Sequence, residues 1–244
     1  TLFPYTTLFR SKSTKEIIAA YKNVLIPSLN LVFATIEGDI GYLALGAIPI
    51  KRKHMEGYRI KNGWTNTYDW VGFLPSEYQP RLINPEKGYI ITANNKLSSE
   101  NIKYHVSLNM HSNPRALRIE EMIKKYLKEG QKIGIEETKI MQNDKVDLVA
   151  RDIFPKIINL TKRNVNNYIT DNSQIEHILN LLSYLENWDA SMEANSTSAV
   201  IFNVWERNIK LKLLKGFNLT NEDRMKILDG TISSMFFYRK LLNW

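Results

Sequence analysis

Asn30-Leu31-Val32-Phe33-Ala34-Thr35-Ile36-Glu37-Gly38-Asp39-Ile40-Gly41-Tyr42-Leu43-Ala44-Leu45-Gly46 decides how this chain folds. Leu31 to Ile36 and Ile40 to Leu45 are rich in β-branched and aromatic residues, and Glu37-Gly38-Asp39 between them carries turn formers. The reading is a β-hairpin closed by a tight turn, with Asp39 as a turn former. Both runs are apolar nearly throughout instead of alternating, which predicts a strand pair covered on both faces.

Upstream, Ser13-Thr14-Lys15-Glu16 precedes Ile17, Ile18, Tyr21, Val24 and Leu25. Ser13 as N-cap with Glu16 three residues on reads as a capping box opening a helix, which Pro27 and Ser28 end. Downstream, residues 46–85 are punctuated by Pro49, Gly57, Gly63, Gly72, Pro75, Pro80 and Pro85 and read as loop. Asn84-Pro85-Glu86-Lys87 fits a type I turn followed by Gly88. A short strand, Tyr89 to Thr92, then delivers Ala93-Asn94-Asn95 to its end, where polar groups often serve function.

After Pro114 the pattern becomes helical. Leu117, Ile119, Met122, Ile123, Tyr126 and Leu127 form a stripe of 3.6-residue period. Further helices are expected over Ile135 to Met141, Lys145 to Leu160, Gln174 to Trp188, Ser198 to Lys215 and Asn221 to Leu242. Asn221-Glu222-Asp223 is a good helix start. The fold class expected is α+β, with a mixed front half and an all-helical back half.

A chain of 244 residues with 43% hydrophobic and 24% charged residues can bury a sizeable core. The absence of cysteine excludes disulfides and a cysteine nucleophile within this stretch. The net charge of +8 is dispersed in short groups such as Lys51-Arg52-Lys53, Lys124-Lys125 and Lys210 to Lys215. These read as solvated helix faces, not as a nucleic-acid patch. Neither Ile17 to Ile36 nor Ile40 to Ile50 supplies the ~20 uninterrupted apolar residues of a spanning helix. The triplets at Asn159, Asn195 and Asn218 match the glycosylation pattern, but they arise by chance in so asparagine-rich a chain.

Thr1-Leu2-Phe3-Pro4-Tyr5-Thr6-Thr7-Leu8-Phe9-Arg10-Ser11 reads as a conceptual translation of a common sequencing-library adapter. Residues 1–11 are therefore set aside as an artefact, and they are expected to pack poorly. Amplifying genomic DNA across Lys12 tests this; a native codon run there rejects it. Two segments remain, 12–114 and 115–244.

A resemblance now comes into view. Gly38-Asp39-Ile40-Gly41-Tyr42, Gly46-Ala47-Ile48-Pro49, Arg52 and Gly63-Trp64 follow one another in order. Trp70-Val71-Gly72-Phe73-Leu74-Pro75, Pro80, Asn84-Pro85, Gly88-Tyr89-Ile90 and Ala93-Asn94-Asn95 continue the series. This series resembles the penicillin acylase (penicillin amidase) family. Arg115-Ala116-Leu117-Arg118-Ile119, Trp188-Asp189 and Ser198 to Trp205 extend the likeness, which covers Ser13 to Trp205 and little beyond.

The resemblance implies an N-terminal-nucleophile (Ntn) hydrolase, with residues 12–114 as part of an αββα sandwich. Residues 115–244 would be a helical segment of the same large (beta) chain. It implies an amidohydrolase matured from a precursor, acting on a small N-acyl amide and paired with the small (alpha) chain of that precursor. An N-terminal serine would attack the amide carbonyl with its own α-amino group as base. Asn94 matches the family's oxyanion-hole asparagine and Arg115 an arginine that supports the site. No residue matches the nucleophile, so the chain reads as an internal fragment that is catalytically silent; because Leu31 to Leu45 would leave unpaired apolar strand edges, it is also expected to aggregate when expressed alone. No cofactor or metal is expected. The family can carry a structural calcium, but the stretch after Asn95 offers Glu100, Tyr104 and His105 with no aspartate at a matching position.

Other residues draw plainer readings. Trp64, Trp70 and Trp188 are packing residues. His54, His105, His111 and His177 are too scattered for a metal site, and Ser98, Ser99 and Ser112 are loop serines without a His-Asp frame. The alternative function is a catalytically dead relative, a binding module that keeps the acyl pocket. A nucleic-acid binder rests on charge alone, and no membrane partner is expected.

Overall fold

The computed structural model describes residues 4–51, 62–95, 114–216 and 220–221. The chain divides into two compact units, Thr1–His111 and Ser112–Trp244. The fold is mixed α+β.

In the first unit, helices α1 (Pro4–Arg10) and α2 (Thr14–Tyr21) precede the hairpin of β1 (Leu29–Ala34) and β2 (Ile40–Leu45). Ser13 caps α2, its side chain accepting from the Glu16 N–H at 3.3 Å, while Glu16 Oε2 accepts from the Lys12 N–H at 2.7 Å. The box therefore closes one residue earlier than expected. The helix stops at Tyr21, before Pro27.

β1 and β2 pair antiparallel from Leu29↔Leu45 to Ala34↔Ile40. The turn is closed by the Thr35 N–H on Asp39 O, and Gly38 at φ +94° supplies the reversed backbone. β2 is the central strand of a sheet ordered β1-β2-β5, with β5 at Arg81–Ile83. Coverage on both faces holds for β2, where Tyr42 to Leu45 are all buried, but not for β1. Leu29 and Val32 on β1 are about half exposed because this strand lies at the edge. Leu43 and Leu45 pack with Ile17, Ala20, Tyr21 and Val24. Leu8 joins that cluster at 6% exposure, against the expectation that residues 1–11 pack poorly.

The stretch read as loop holds β3 (Pro49–Lys51), β4 (Trp70–Phe73) and β5. β3 and β4 form a separate two-stranded ribbon. Trp64 and Trp70 are 83% and 61% exposed among the described residues, so neither is buried there, although Trp70 meets the Phe73 ring edge-on. Buried Gln79 stitches the region together, its Nε2 donating to Gly46 O and Leu74 O. The Pro85 turn sits one residue later than expected, with the Gly88 N–H donating to Pro85 O at 2.8 Å. Tyr89–Thr92 is not a strand, since no described strand pairs with its backbone.

The second unit is helical: α3 (Pro114–Lys128), α4 (Ile135–Gln142), α5 (Leu148–Asp152), α6 (Phe154–Tyr168), α7 (Asn172–Glu186) and α8 (Thr197–Leu214). The single helix expected over Lys145 to Leu160 is two, broken at Ile153. Pro155 stands in the first turn of α6, where its missing N–H costs nothing. Asp147 caps α5, its Oδ1 accepting from the Val149 and Ala150 N–H groups. The core gathers Phe154, Phe202, Trp188 and Trp205: Phe154 meets Phe202 and Trp205 edge-on, the first pair with centroids 4.5 Å apart, and Trp188 lies tilted against Phe202. Trp188 packs as expected and donates from Nε1 to Ser191 O. The helix expected from Asn221 lies outside the described residues except for its first residue.

Candidate functional site

Asn94 stands in the first unit, at a bend that follows buried Ile91. Its φ of +61° places it in the left-handed region, which asparagine tolerates better than other residues with a side chain. The bend is held from both sides of Asn94: the Ala93 N–H donates to Asn95 Oδ1 at 2.8 Å. With its neighbours bonded to each other across it, Asn94 carries an exposed side chain. Its amide group has the donor chemistry that holds a developing oxyanion.

Arg115 stands in the second unit, exposed in the first turn of α3. It lines a cleft of about 290 Å³ whose apolar wall includes Ile119, Met122 and Met141 and whose polar wall includes Arg118 and Asp144. Asn94 and Arg115 thus belong to different units, each described within its own.

Beside Arg115 lies an ion-pair chain that the sequence reading missed. Arg118 forks onto Asp144, with Nε to Oδ2 at 2.9 Å and Nη2 to Oδ1 at 2.7 Å. Its third nitrogen, Nη1, reaches Glu121 Oε2 at 3.1 Å. Arg151 from α5 then takes both Glu121 oxygens, at 2.7 and 2.8 Å, and also bonds Asp152. The Arg118 hydrogen bonds hold the Asp144 carboxyl below its ordinary value, and Arg151, then Arg118, do the same for Glu121. Both guanidinium groups are pushed up in turn, Arg118 chiefly by Asp144 and Arg151 chiefly by Glu121. Only the Arg118–Glu121 spacing of three residues was a local signal. Asp144 lies 26 residues from Arg118, beyond any periodicity.

His54, His105 and His111, with Glu100, Tyr104, Ser98, Ser99 and Ser112, fall outside the described residues. His177 is exposed on α7. Among the described residues no group of three His, Asp or Glu side chains could hold a metal ion. No described helix is long and apolar enough to cross a membrane. Several basic residues on the helices are paired with acids, as in Lys124–Glu120, Lys162–Glu186 and Lys210–Glu206.

The chain is similar to several known proteins. The penicillin acylase 2 proenzyme of Pseudomonas sp. (strain SE83) is 27% identical over 178 residues, which cover 73% of this chain and 21% of that protein. An acyl-homoserine lactone acylase, QuiP, of Pseudomonas fluorescens is 30% identical over 119 residues, covering 49% and 14%. The chain therefore spans about a fifth or less of the length of these relatives. In fold, it is similar to the solved structure of a thermostable penicillin G acylase from Alcaligenes faecalis, with a TM-score of 0.66. That match has 17% identity and covers 92% of this chain and 39% of that one. The family model of penicillin amidase matches residues 1–238, and on that match the chain belongs to the penicillin amidase family.

Proposed function

We propose that this chain is part of an amidohydrolase that cleaves linear non-peptide amides, removing an N-acyl side chain. Two relatives of different name, a penicillin acylase and an acyl-homoserine lactone acylase, share the acylase designation. Their common chemistry is acyl transfer from nitrogen. In the complete protein, an N-terminal serine outside the residues of this chain attacks the amide carbon, its α-amino group taking the proton. The carbonyl oxygen becomes an oxyanion, and Asn94 donates an N–H to it. The C–N bond then breaks, the α-amino group returning its proton to the leaving nitrogen, and water hydrolyses the ester. Arg115 supports the site, and the small (alpha) chain of the same precursor completes it.

The observation that carries this reading is the setting of Asn94: a left-handed backbone and an exposed amide, on a bend closed by its two neighbours. The bend fixes the backbone from which the Asn94 side chain projects, and donors aimed at a developing oxyanion are where such sites gain their effect. The test is Asn94→Gly in the complete protein that contains this chain, because glycine keeps the left-handed backbone and removes the side-chain donor. Turnover is expected to fall by about 10²–10³, equivalent to ~2.7–4 kcal/mol, with the fold intact. Unchanged turnover rejects the assignment. Acyl-amide binding with no turnover in the unsubstituted protein would instead favour a binding module.

A further inference from the structure

We infer that Arg118 is a positioning residue for Arg115, acting through its fork onto Asp144. The inference rests on the proposed role of Arg115 as site support. Both arginines stand in the first two turns of α3, three residues apart, and both line the same cleft. Arg118 reaches across that cleft and places two of its nitrogens on the two oxygens of one carboxylate, at 2.7 and 2.9 Å. A planar guanidinium forked on a planar carboxylate is geometrically specific, so this contact restrains the first turns of α3 against the stretch that holds Asp144. Asp144 is itself well placed to act as an anchor. It is 14% exposed, and it lies just before Val146, whose bridge to Ser191 ties this stretch to the loop before α8.

The carboxylates lining the cleft, Asp144 and Asp147, and Glu121 beyond it are engaged by named donors. Asp144 takes Arg118, Asp147 Oδ1 takes the N–H groups that open α5, and Glu121 takes Arg151 and the remaining nitrogen of Arg118. Removing the Arg118 fork would therefore do two things at once. It would free the start of α3 to shift, and it would leave the Asp144 carboxylate, which lines the same cleft as Arg115, without the Arg118 fork. Either change would alter the wall of the cleft on which Arg115 stands. Loss of position of about 1 Å at a supporting group can cost on the order of 10²-fold in rate.

The test compares kcat and KM of Arg118→Lys, Asp144→Asn and Asp144→Glu with those of Arg115→Lys, all in the complete protein. Lysine keeps the charge and loses the fork. The expected result is a fall of about tenfold or more in kcat for Arg118→Lys and Asp144→Asn, with KM within about twofold. Asp144→Glu should recover part of the loss, and the double variant should fall no further than either single one, because the two residues act as a unit. Activities are referred to the correctly folded fraction, measured by thermal melting, so a loss of stability alone does not mimic the effect. If Arg115→Lys lowers kcat while Arg118→Lys and Asp144→Asn do not, the inference is overturned and the role of Arg115 stands. If Arg115→Lys changes nothing, the proposed role of Arg115 fails and this inference fails with it.

Discussion

Asn84 Nδ2 donates to Asp39 Oδ1 at 2.8 Å, joining the end of β5 to the turn between β1 and β2. The other Asp39 oxygen accepts from Thr14 Oγ1 at 2.7 Å, so one carboxylate also holds the first turn of α2. Asn84 completes the arrangement by accepting the Ile40 N–H on its own Oδ1 at 2.9 Å, from a backbone at φ +45°. Three segments far apart in sequence meet on two side chains.

The first prediction concerns acid. Hydrogen bonds from Thr14, then Asn84, hold the Asp39 carboxyl below its ordinary value. A group whose folded pKa is depressed contributes stability above its unfolded pKa and loses it as pH falls through the folded one. Asp39→Asn should therefore lower the melting temperature at neutral pH. The gap from the unsubstituted chain should then close as the pH drops below the usual carboxylate range. A gap that is constant with pH would mean that the charge on Asp39 does not matter to the fold.

Gly41 gives the second prediction. It is paired with Phe33 across the hairpin, and a Cβ built on it would lie 2.1 Å from the Phe33 ring. The ring lies over the glycine and uses the missing side chain as its floor. Gly41→Ala should cost about 1–3 kcal/mol by overpacking, measured by urea unfolding. Combining it with Phe33→Leu should recover part of the loss, whereas additive losses would show that the ring does not sit where described.

Asn94 separates backbone from side chain. At φ +61° an alanine is strained by roughly 1–2 kcal/mol, whereas glycine is not. Asn94→Ala should melt lower than Asn94→Gly while both lose the same donor. Equal melting temperatures would place this residue in an ordinary backbone conformation and remove the geometric support for its role.

The sequence was informative wherever a local physical rule had no competitor. The hairpin about Glu37-Gly38-Asp39 follows from two β-rich runs around a turn, and its second strand, Ile40 to Leu45, lies where it was expected. The stripe from Leu117 to Leu127 likewise identifies α3. Misses came where the deciding partner is distant. β3 and β5 are three residues long and β4 is four, so no alternation is visible in a proline-punctuated stretch. Tyr89 to Thr92 has strand composition but no described partner strand, and composition alone does not supply one. The break at Ile153 was readable in principle, because Pro155 cannot sit inside a continuous helix. At the site, Asn94 and Arg115 were named through the family resemblance. Their settings, a reversed backbone and a cleft beside an ion-pair chain, depend on contacts that no spacing rule encodes.

The pairing of β2 with β5 and of β3 with β4 has a practical consequence. Each partnership joins a strand that ends by Lys51 to one that begins after Asn62. The Ala44 N–H on Pro80 O, the Leu74 N–H on Ile48 O and Gln79 on Gly46 O run across the same divide. Cleavage of the main chain anywhere from Arg52 to Lys61 would therefore sever a covalent link without removing any of these hydrogen bonds. The two peptides should remain associated after a nick. Co-expressed as separate pieces, they should find each other and elute together, which makes this interval the natural place to split the first unit into a complementing pair.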